Sequence, residues 1–196
     1  MERNNKFIII IALNIVVYAI MMMASSSYAA SGVSQSQYTY LTLGAYGPFV
    51  LGENQWYRII TYAFAHADLI HLGMNMLALY SLADPVIRFT SEKFAIIAYF
   101  IAAIVSGLGV TFFTDTIVIG ASGAVYGLFG ILLYYAYKLS KQGYNDLLRA
   151  YGPVILINVL ISLTPGVSLA GHFFGLLAGV VSAYVYDKKI RRNYWR

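Results

Sequence analysis

Ser122 sits in Gly120-Ala121-Ser122-Gly123, and His172 in Gly171-His172-Phe173-Phe174-Gly175. A serine hydroxyl is a weak nucleophile until a base takes its proton. An imidazole within hydrogen-bond reach does that, and later protonates the leaving amine. Gly120 and Gly123 beside the serine permit a sharp entry and close backbone contact. A helix starting near Ser122 would aim its free N–H groups and its dipole at a developing oxyanion. His71 and Asn75, four apart and so on one helical face, could add side-chain hydrogen bonds to the same oxygen. Taken singly these signals are weak. Gly-X-Ser-Gly is common by chance, a His-x-x-x-Asn pair can tie two helices together, and a lone histidine can relay protons.

The elements that must position these residues follow from composition. Of 196 residues 60% are hydrophobic and only 11% charged, where a soluble domain needs about a quarter charged to cover its surface. A nucleic-acid binder, a disordered chain and a cytosolic enzyme are all poor readings. Cysteine is absent, which rules out disulfides, thiolate catalysis and cysteine metal sites. The class is all-α, a polytopic membrane protein with one domain over residues 1–196. A hydrocarbon core of about 30 Å needs roughly 20 apolar residues of helix, and six stretches qualify: Phe7 to Ala24, Leu69 to Ile87, Phe94 to Phe113, Ile117 to Tyr137, Ala150 to Leu163 and Val167 to Tyr186.

Lysine and arginine set the orientation. Arg3 and Lys6 precede the first span, Arg88 and Lys93 follow the second, and Lys138, Lys141 and Arg149 follow the fourth. Lys188, Lys189, Arg191, Arg192 and Arg196 follow the sixth. Of the 13 basic residues only Arg58 falls outside this set. Six alternating spans place the set on one side, which the positive-inside rule makes cytoplasmic, together with both termini. The tail Asp187 to Arg196 reads as a solvated basic segment able to touch anionic lipid headgroups. The start of the chain also resembles a signal peptide, with small residues at Ser27 to Ala30, but its apolar run is longer than the usual 7–15. Retention as a spanning helix is the expectation. The segment Ser25 to Arg58 is long enough to need structure of its own, and Trp56-Tyr57-Arg58 at its end reads as an aromatic belt anchor.

A histidine or asparagine in hydrocarbon is costly and usually functional. His71 lies 17 residues before Arg88, Ser122 16 before Lys138, and His172 16 before Lys188, so each stands roughly 24–26 Å above the inner face. Asn75 stands roughly 20 Å up. Four polar side chains on three helices thus share one layer, with Asp84-Pro85 a possible early end to the second helix. Glycine stripes at Gly171, Gly175 and Gly179, and at Gly123 and Gly127, let helix backbones approach closely. No acidic residue falls in the right layer of the fourth or sixth helix, and Asp68 at the mouth of the second is a poor third member. The expectation is a dyad, with Tyr126, one turn after Ser122, packing on the His172 ring.

With these residues assembled, the chain resembles the rhomboid intramembrane serine proteases in their minimal six-helix form. The resemblance runs from Trp56-Tyr57-Arg58 through His66 and His71-Leu72-Gly73-Met74-Asn75-Met76. It continues in Gly120-Ala121-Ser122-Gly123 with Tyr126, and in Ala170-Gly171-His172-Phe173-Phe174-Gly175. It implies a six-helix bundle with a structured, half-submerged external loop between the first two helices. It implies a Ser122–His172 dyad supported by Tyr126, Gly120, Gly123, Gly171 and Gly175. The oxyanion hole would come from the Ser122 backbone N–H, Asn75 and His71, with Arg58 and His66 structural. The substrates would be membrane proteins cut near the extracytoplasmic end of a transmembrane segment, with lipids as further partners and neither cofactor nor metal. Two features depart from the family. Asp84 is the nearest acidic residue to the inner-end position where Ile87 stands, and Tyr57 separates Trp56 from Arg58. A transporter lined by His71, Asn75 and His172 is the competing reading, as is a relative that binds membrane helices without cutting them. Agreement in depth, topology and role favours the hydrolase, and the short form favours a bacterial or archaeal plasma membrane over an organelle.

Overall fold

In the computed structural model of the chain, residues 6–164 and 166–190 are described. Arg3, Arg191, Arg192 and Arg196 of the charge pattern, and so the end of the basic tail, lie outside them. The described residues are helical and contain no strand; one isolated antiparallel bridge joins Ala45 and Val118. The helices are α1 (Phe7–Ser26), α2 (Gln35–Leu43), α3 (Arg58–Thr61), α4 (Leu69–Phe89), α5 (Glu92–Phe113), α6 (Ser122–Ser140), α7 (Asp146–Ile161) and α8 (Leu169–Val185). By length and composition alone, Phe7–Ser26, Glu92–Phe113 and Leu169–Lys189 are long and apolar enough to cross a membrane. α7 is shorter, and α4 carries His71, Asn75, Asp84 and Arg88.

Local chemistry sets the helix starts. Asp68 accepts the His71 N–H at the head of α4, Ser91 the Phe94 N–H at α5, and Ser168 the Gly171 N–H at α8. Each such cap contributes about 1 kcal/mol. Ser34 and Gln37 form a reciprocal capping box on α2. Two boundaries differ from the sequence pattern. α4 continues past Asp84-Pro85 to Phe89. Leu82, Ala83 and Val86 are buried in the core, and that packing carries the helix across the one missing N–H. α6 begins at Ser122 rather than near Ile117. Ile117, Val118 and Ile119 are β-branched and suit extended backbone, and Val118 exchanges two hydrogen bonds with Ala45, each 2.9 Å.

That bridge ties the segment between α1 and α4 to the head of α6. Arg58 holds the segment from within. Its guanidinium donates to the Gly44 carbonyl at 2.9 Å, the Leu41 carbonyl at 2.7 Å and Gln55 Oε1 at 2.5 Å, and lies over the Phe49 ring. It is 4% exposed while Trp56 and Tyr57 are open. The belt reading therefore fits the two aromatics and not the arginine.

α6 is the centre of the molecule, with Gly123 to Leu132 buried without a break, and it packs most extensively on α8. The contact is backbone on backbone. A Cβ on Gly175 would fall on the Gly123 carbonyl, and one on Gly179 on the Gly127 carbonyl. At the other end of the pair, Lys138 Nζ meets the Asp187 carboxylate, 2.7 Å from Oδ1, and Tyr134 donates to it at 3.0 Å. α7 packs on α6 and leaves much of its apolar surface open, with Ile155 its one buried residue.

Candidate active site

Ser122 is the first residue of α6, and Gly120 just before it has φ +125°. That left-handed backbone is strained for any residue with a Cβ. A Cβ there would also lie 2.7 Å from His71 Nε2 and 3.8 Å from Ser122 Oγ, so the His71 ring and the Ser122 hydroxyl border the same space. The approach to Ser122 is fixed by two further bonds. The Gly120 N–H donates to the Tyr62 carbonyl at 2.9 Å, and the Ala121 N–H to His66 Nε2 at a long 3.5 Å. α6 has no side-chain cap. Its first-turn N–H groups have no acceptor within the helix, and their dipole ends cluster beside the Ser122 hydroxyl.

His172 lies in the first turn of α8, where Ser168 accepts its neighbour Gly171 and the Ser168 carbonyl accepts its own N–H. The glycine contact between α6 and α8 brings the two helices close enough for the side chains to meet. His172 Nε2 lies 2.8 Å from Ser122 Oγ. The Tyr126 ring stacks on the imidazole, centroids 4.0 Å apart and planes 12° from parallel. His172 is 8% exposed and Ser122 half-buried. A serine oxygen, a base at hydrogen-bond distance and free helix N–H groups are the parts needed for acyl transfer.

The remaining residues singled out from sequence fall as follows. Asn75 is buried, and its amide donates to the His71 carbonyl one turn back at 2.9 Å. The other N–H of that amide is the one that could serve an oxyanion. His66 is fully buried and packs edge-on against His71, centroids 5.0 Å apart. Burial, then the neighbouring His71, pushes the His66 imidazole down to about 4, so it is neutral and can accept from Ala121. Gly123, Gly171 and Gly175 are buried at the α5–α6–α8 junction. Asp68 is the α4 cap and exposed. Among the described residues no three His, Asp or Glu side chains group so as to hold a metal ion.

Ser162, just past α7, is the residue that sequence reasoning missed. Its hydroxyl lies 2.7 Å from His172 Nδ1 and 2.7 Å from the Tyr126 hydroxyl, and donates to the Asn158 carbonyl at 2.9 Å. A signal was available. Asn158 and Ser162 are the only polar residues between Val154 and Leu163, and they are four apart.

Comparison with known proteins bears on the family of the chain. The family model of the rhomboid domain matches residues 53–189. The rhomboid protease GluP of Bacillus subtilis (strain 168) is 30% identical over 158 residues, which is 78% of this chain and 30% of that protein. Rhomboid-like protease 3 of Toxoplasma gondii is 30% identical over 183 residues, 90% of this chain and 67% of the relative. Rhomboid-type serine protease 2 of Saccharomyces cerevisiae (strain ATCC 204508 / S288c) is 28% identical over 150 residues, 70% and 56%. The chain thus spans less than a third of the first of these relatives and about two thirds of the second.

Proposed function

We propose that this chain, which belongs to the rhomboid family and is an integral membrane protein, is an intramembrane serine endopeptidase. Ser122 and His172 are its catalytic pair. The observation that carries the reading is the 2.8 Å contact between Ser122 Oγ and His172 Nε2. Ser122 Oγ attacks the scissile carbonyl carbon while its proton passes to His172 Nε2. The carbonyl oxygen becomes an oxyanion held by the Ser122 N–H, the second Asn75 N–H and the His71 ring. The C–N bond then breaks, the amine leaves with the proton from Nε2, and an acyl-enzyme remains on Ser122. Water adds to the ester, giving its proton to Nε2. Collapse of the second tetrahedral intermediate returns that proton to Ser122 and frees the carboxylic acid product.

The substrates are membrane proteins cut near the extracytoplasmic end of a transmembrane segment. A stable substrate helix hides its carbonyls in internal hydrogen bonds, so segments loosened by Gly, Pro or Ser are favoured. One domain over residues 1–196 holds six spans, the charge pattern supports cytoplasmic termini, and the membrane is a bacterial or archaeal plasma membrane. Lipid is the other partner, and nucleic acid is none. The test is labelling by a fluorophosphonate probe in detergent, together with cleavage of a transmembrane substrate. Both are expected to vanish in Ser122→Ala and His172→Ala. Cleavage surviving in Ser122→Ala would reject the reading.

A further inference from the structure

The imidazole of His172 has two nitrogens, and only one tautomer of the neutral ring leaves a lone pair on Nε2 for Ser122. We infer that Ser162 is a positioning residue that selects this tautomer, acting with Tyr126 and the Asn158 carbonyl. The inference rests on the Ser122–His172 reading and extends it to the far side of the ring.

Four short contacts join these groups: Nδ1 to Ser162 Oγ, Ser162 Oγ to Tyr126 Oη, and each of those hydroxyls to the Asn158 carbonyl. A hydrogen bond needs one proton between its two atoms. Ser162 and Tyr126 carry one hydroxyl proton each, and the carbonyl carries none. If Nδ1 is bare, Ser162 must donate to it. The single Tyr126 proton then has to serve both its contact with Ser162 and its contact with Asn158. The Ser162–Asn158 contact is left as two facing oxygens with no proton. If Nδ1 carries a proton and donates to Ser162 Oγ, the serine proton is released to the Tyr126–Asn158 side. Three protons then serve four contacts, and the one shortage falls inside a triangle that three-centre hydrogen bonds can share.

The site is dry enough for this to decide the outcome. Ser162 is 3% exposed and Tyr126 5%, so water is poorly placed to supply the missing protons, and an unsatisfied polar contact costs most in such surroundings. The Nδ1–H tautomer leaves Nε2 bare, facing Ser122. When Nε2 takes the Ser122 proton, Nδ1–H remains on Ser162 Oγ, so the imidazolium keeps an acceptor and Ser162 does not change protonation. Stacking by Tyr126 fixes the plane of the ring, and the Ser162 bond fixes its rotation within that plane. The acidic residue that a triad would place here is replaced by a neutral hydroxyl anchored to a backbone carbonyl.

The experiment uses the full chain in lipid nanodiscs with 15N-labelled histidine. The chain has three histidines, and the His172 signals are those missing from His172→Ala. At neutral pH the wild-type His172 is expected in the Nδ1–H form. Ser162→Ala should give a mixture of tautomers and a kcat about tenfold lower, with KM unchanged. Ser162→Thr, which keeps the hydroxyl, should recover most of the rate. An Nε2–H ring in the wild type, or a Ser162→Ala kcat within twofold of wild type, overturns the inference. If Ser162→Ala does not fold, the wild-type tautomer decides alone. Loss of Ser122 dependence in the wild-type cleavage would instead strike the reading beneath it.

Discussion

The Tyr126 ring covers one face of the His172 imidazole, with centroids 4.0 Å apart and planes 12° from parallel. The same tyrosine sends its hydroxyl to Ser162 and Asn158, so ring and hydroxyl do separable work. Tyr126→Phe keeps the stack, and the Ser162 hydroxyl can still reach the Asn158 carbonyl. Tyr126→Leu removes both. A stacked aromatic pair contributes about 0.5–1.5 kcal/mol beyond its area. Tyr126→Phe is therefore expected to stay within a few-fold of wild-type kcat, and Tyr126→Leu to fall about tenfold. Turnover of a transmembrane substrate, with thermal midpoints as the folding control, checks this. Equal losses in the two variants would place the whole effect in the hydroxyl.

Gly175 should tolerate no side chain. Its Cβ would meet the backbone carbonyl of Gly123, and backbone in a central helix has nowhere to go. Gly175→Ala is expected to destabilise by about 1–3 kcal/mol and to reduce cleavage by spreading α6 from α8. Gly73 in α4 is the control, because it is exposed and a Cβ there would meet nothing within 4 Å. Gly73→Ala should be neutral or stabilising by up to about 1 kcal/mol. Thermal unfolding of both variants in one detergent measures the contrast.

Arg58 holds three acceptors with one planar fork. A lysine carries the charge but not the fork, so Arg58→Lys should behave more like Arg58→Ala than like wild type. Either change leaves the Gly44 carbonyl without this donor and should cost about 2–3 kcal/mol. The loosened part is the segment between α1 and α4, so limited proteolysis should cut between α2 and α3 before the helical core yields. Cleavage of that segment at the wild-type rate in Arg58→Ala would argue against an anchoring role.

His66 makes stability depend on pH with a definite sign. Its folded value is about 4, against an ordinary 6.5, because burial and His71 oppose the charged ring while Asp68 and the Phe64 backbone offset part of this. The unfolded chain therefore binds more protons between those two values, and stability rises with pH across that window. The contribution is fully present above about pH 6.5 and is lost as pH falls toward about 4, with a slope of up to about 1.4 kcal/mol per pH unit. The measurement is the pH dependence of the thermal midpoint in wild type against His66→Gln. Parallel curves over pH 4–7 would show that His66 does not carry it.

The parts of this fold that could be read from the chain are those governed by one-dimensional rules. Hydropathy located the six longer helices to within a few residues at most ends, because burial in lipid or core follows apolar run length. The depth count placed Ser122 and His172 in one layer, and the two lie in contact, because helix rise converts sequence distance into height. What escaped depends on chain segments far apart in sequence. Ile117–Ile119 is apolar enough to read as helix, yet a pairing with Ala45, more than 70 residues away, draws it into extended backbone. Composition and position alone made Arg58 part of a belt anchor, because two of its three acceptors are backbone carbonyls, which have no signature in a sequence. Ser162 drew no reading from the sequence, and only the packing of α7 on α6 brings it to Nδ1.

α6 and α8 are joined near the site by glycine backbones and at the opposite end by the Lys138–Asp187 pair with Tyr134. Two rods fastened at both ends cannot slide along one another. A bilayer thinner or thicker than the protein prefers must be met by tilting the pair as one body or by deforming the lipid. Ser122 and His172 then keep their register across membranes of different acyl length, and any dependence of turnover on lipid thickness reports how the substrate enters.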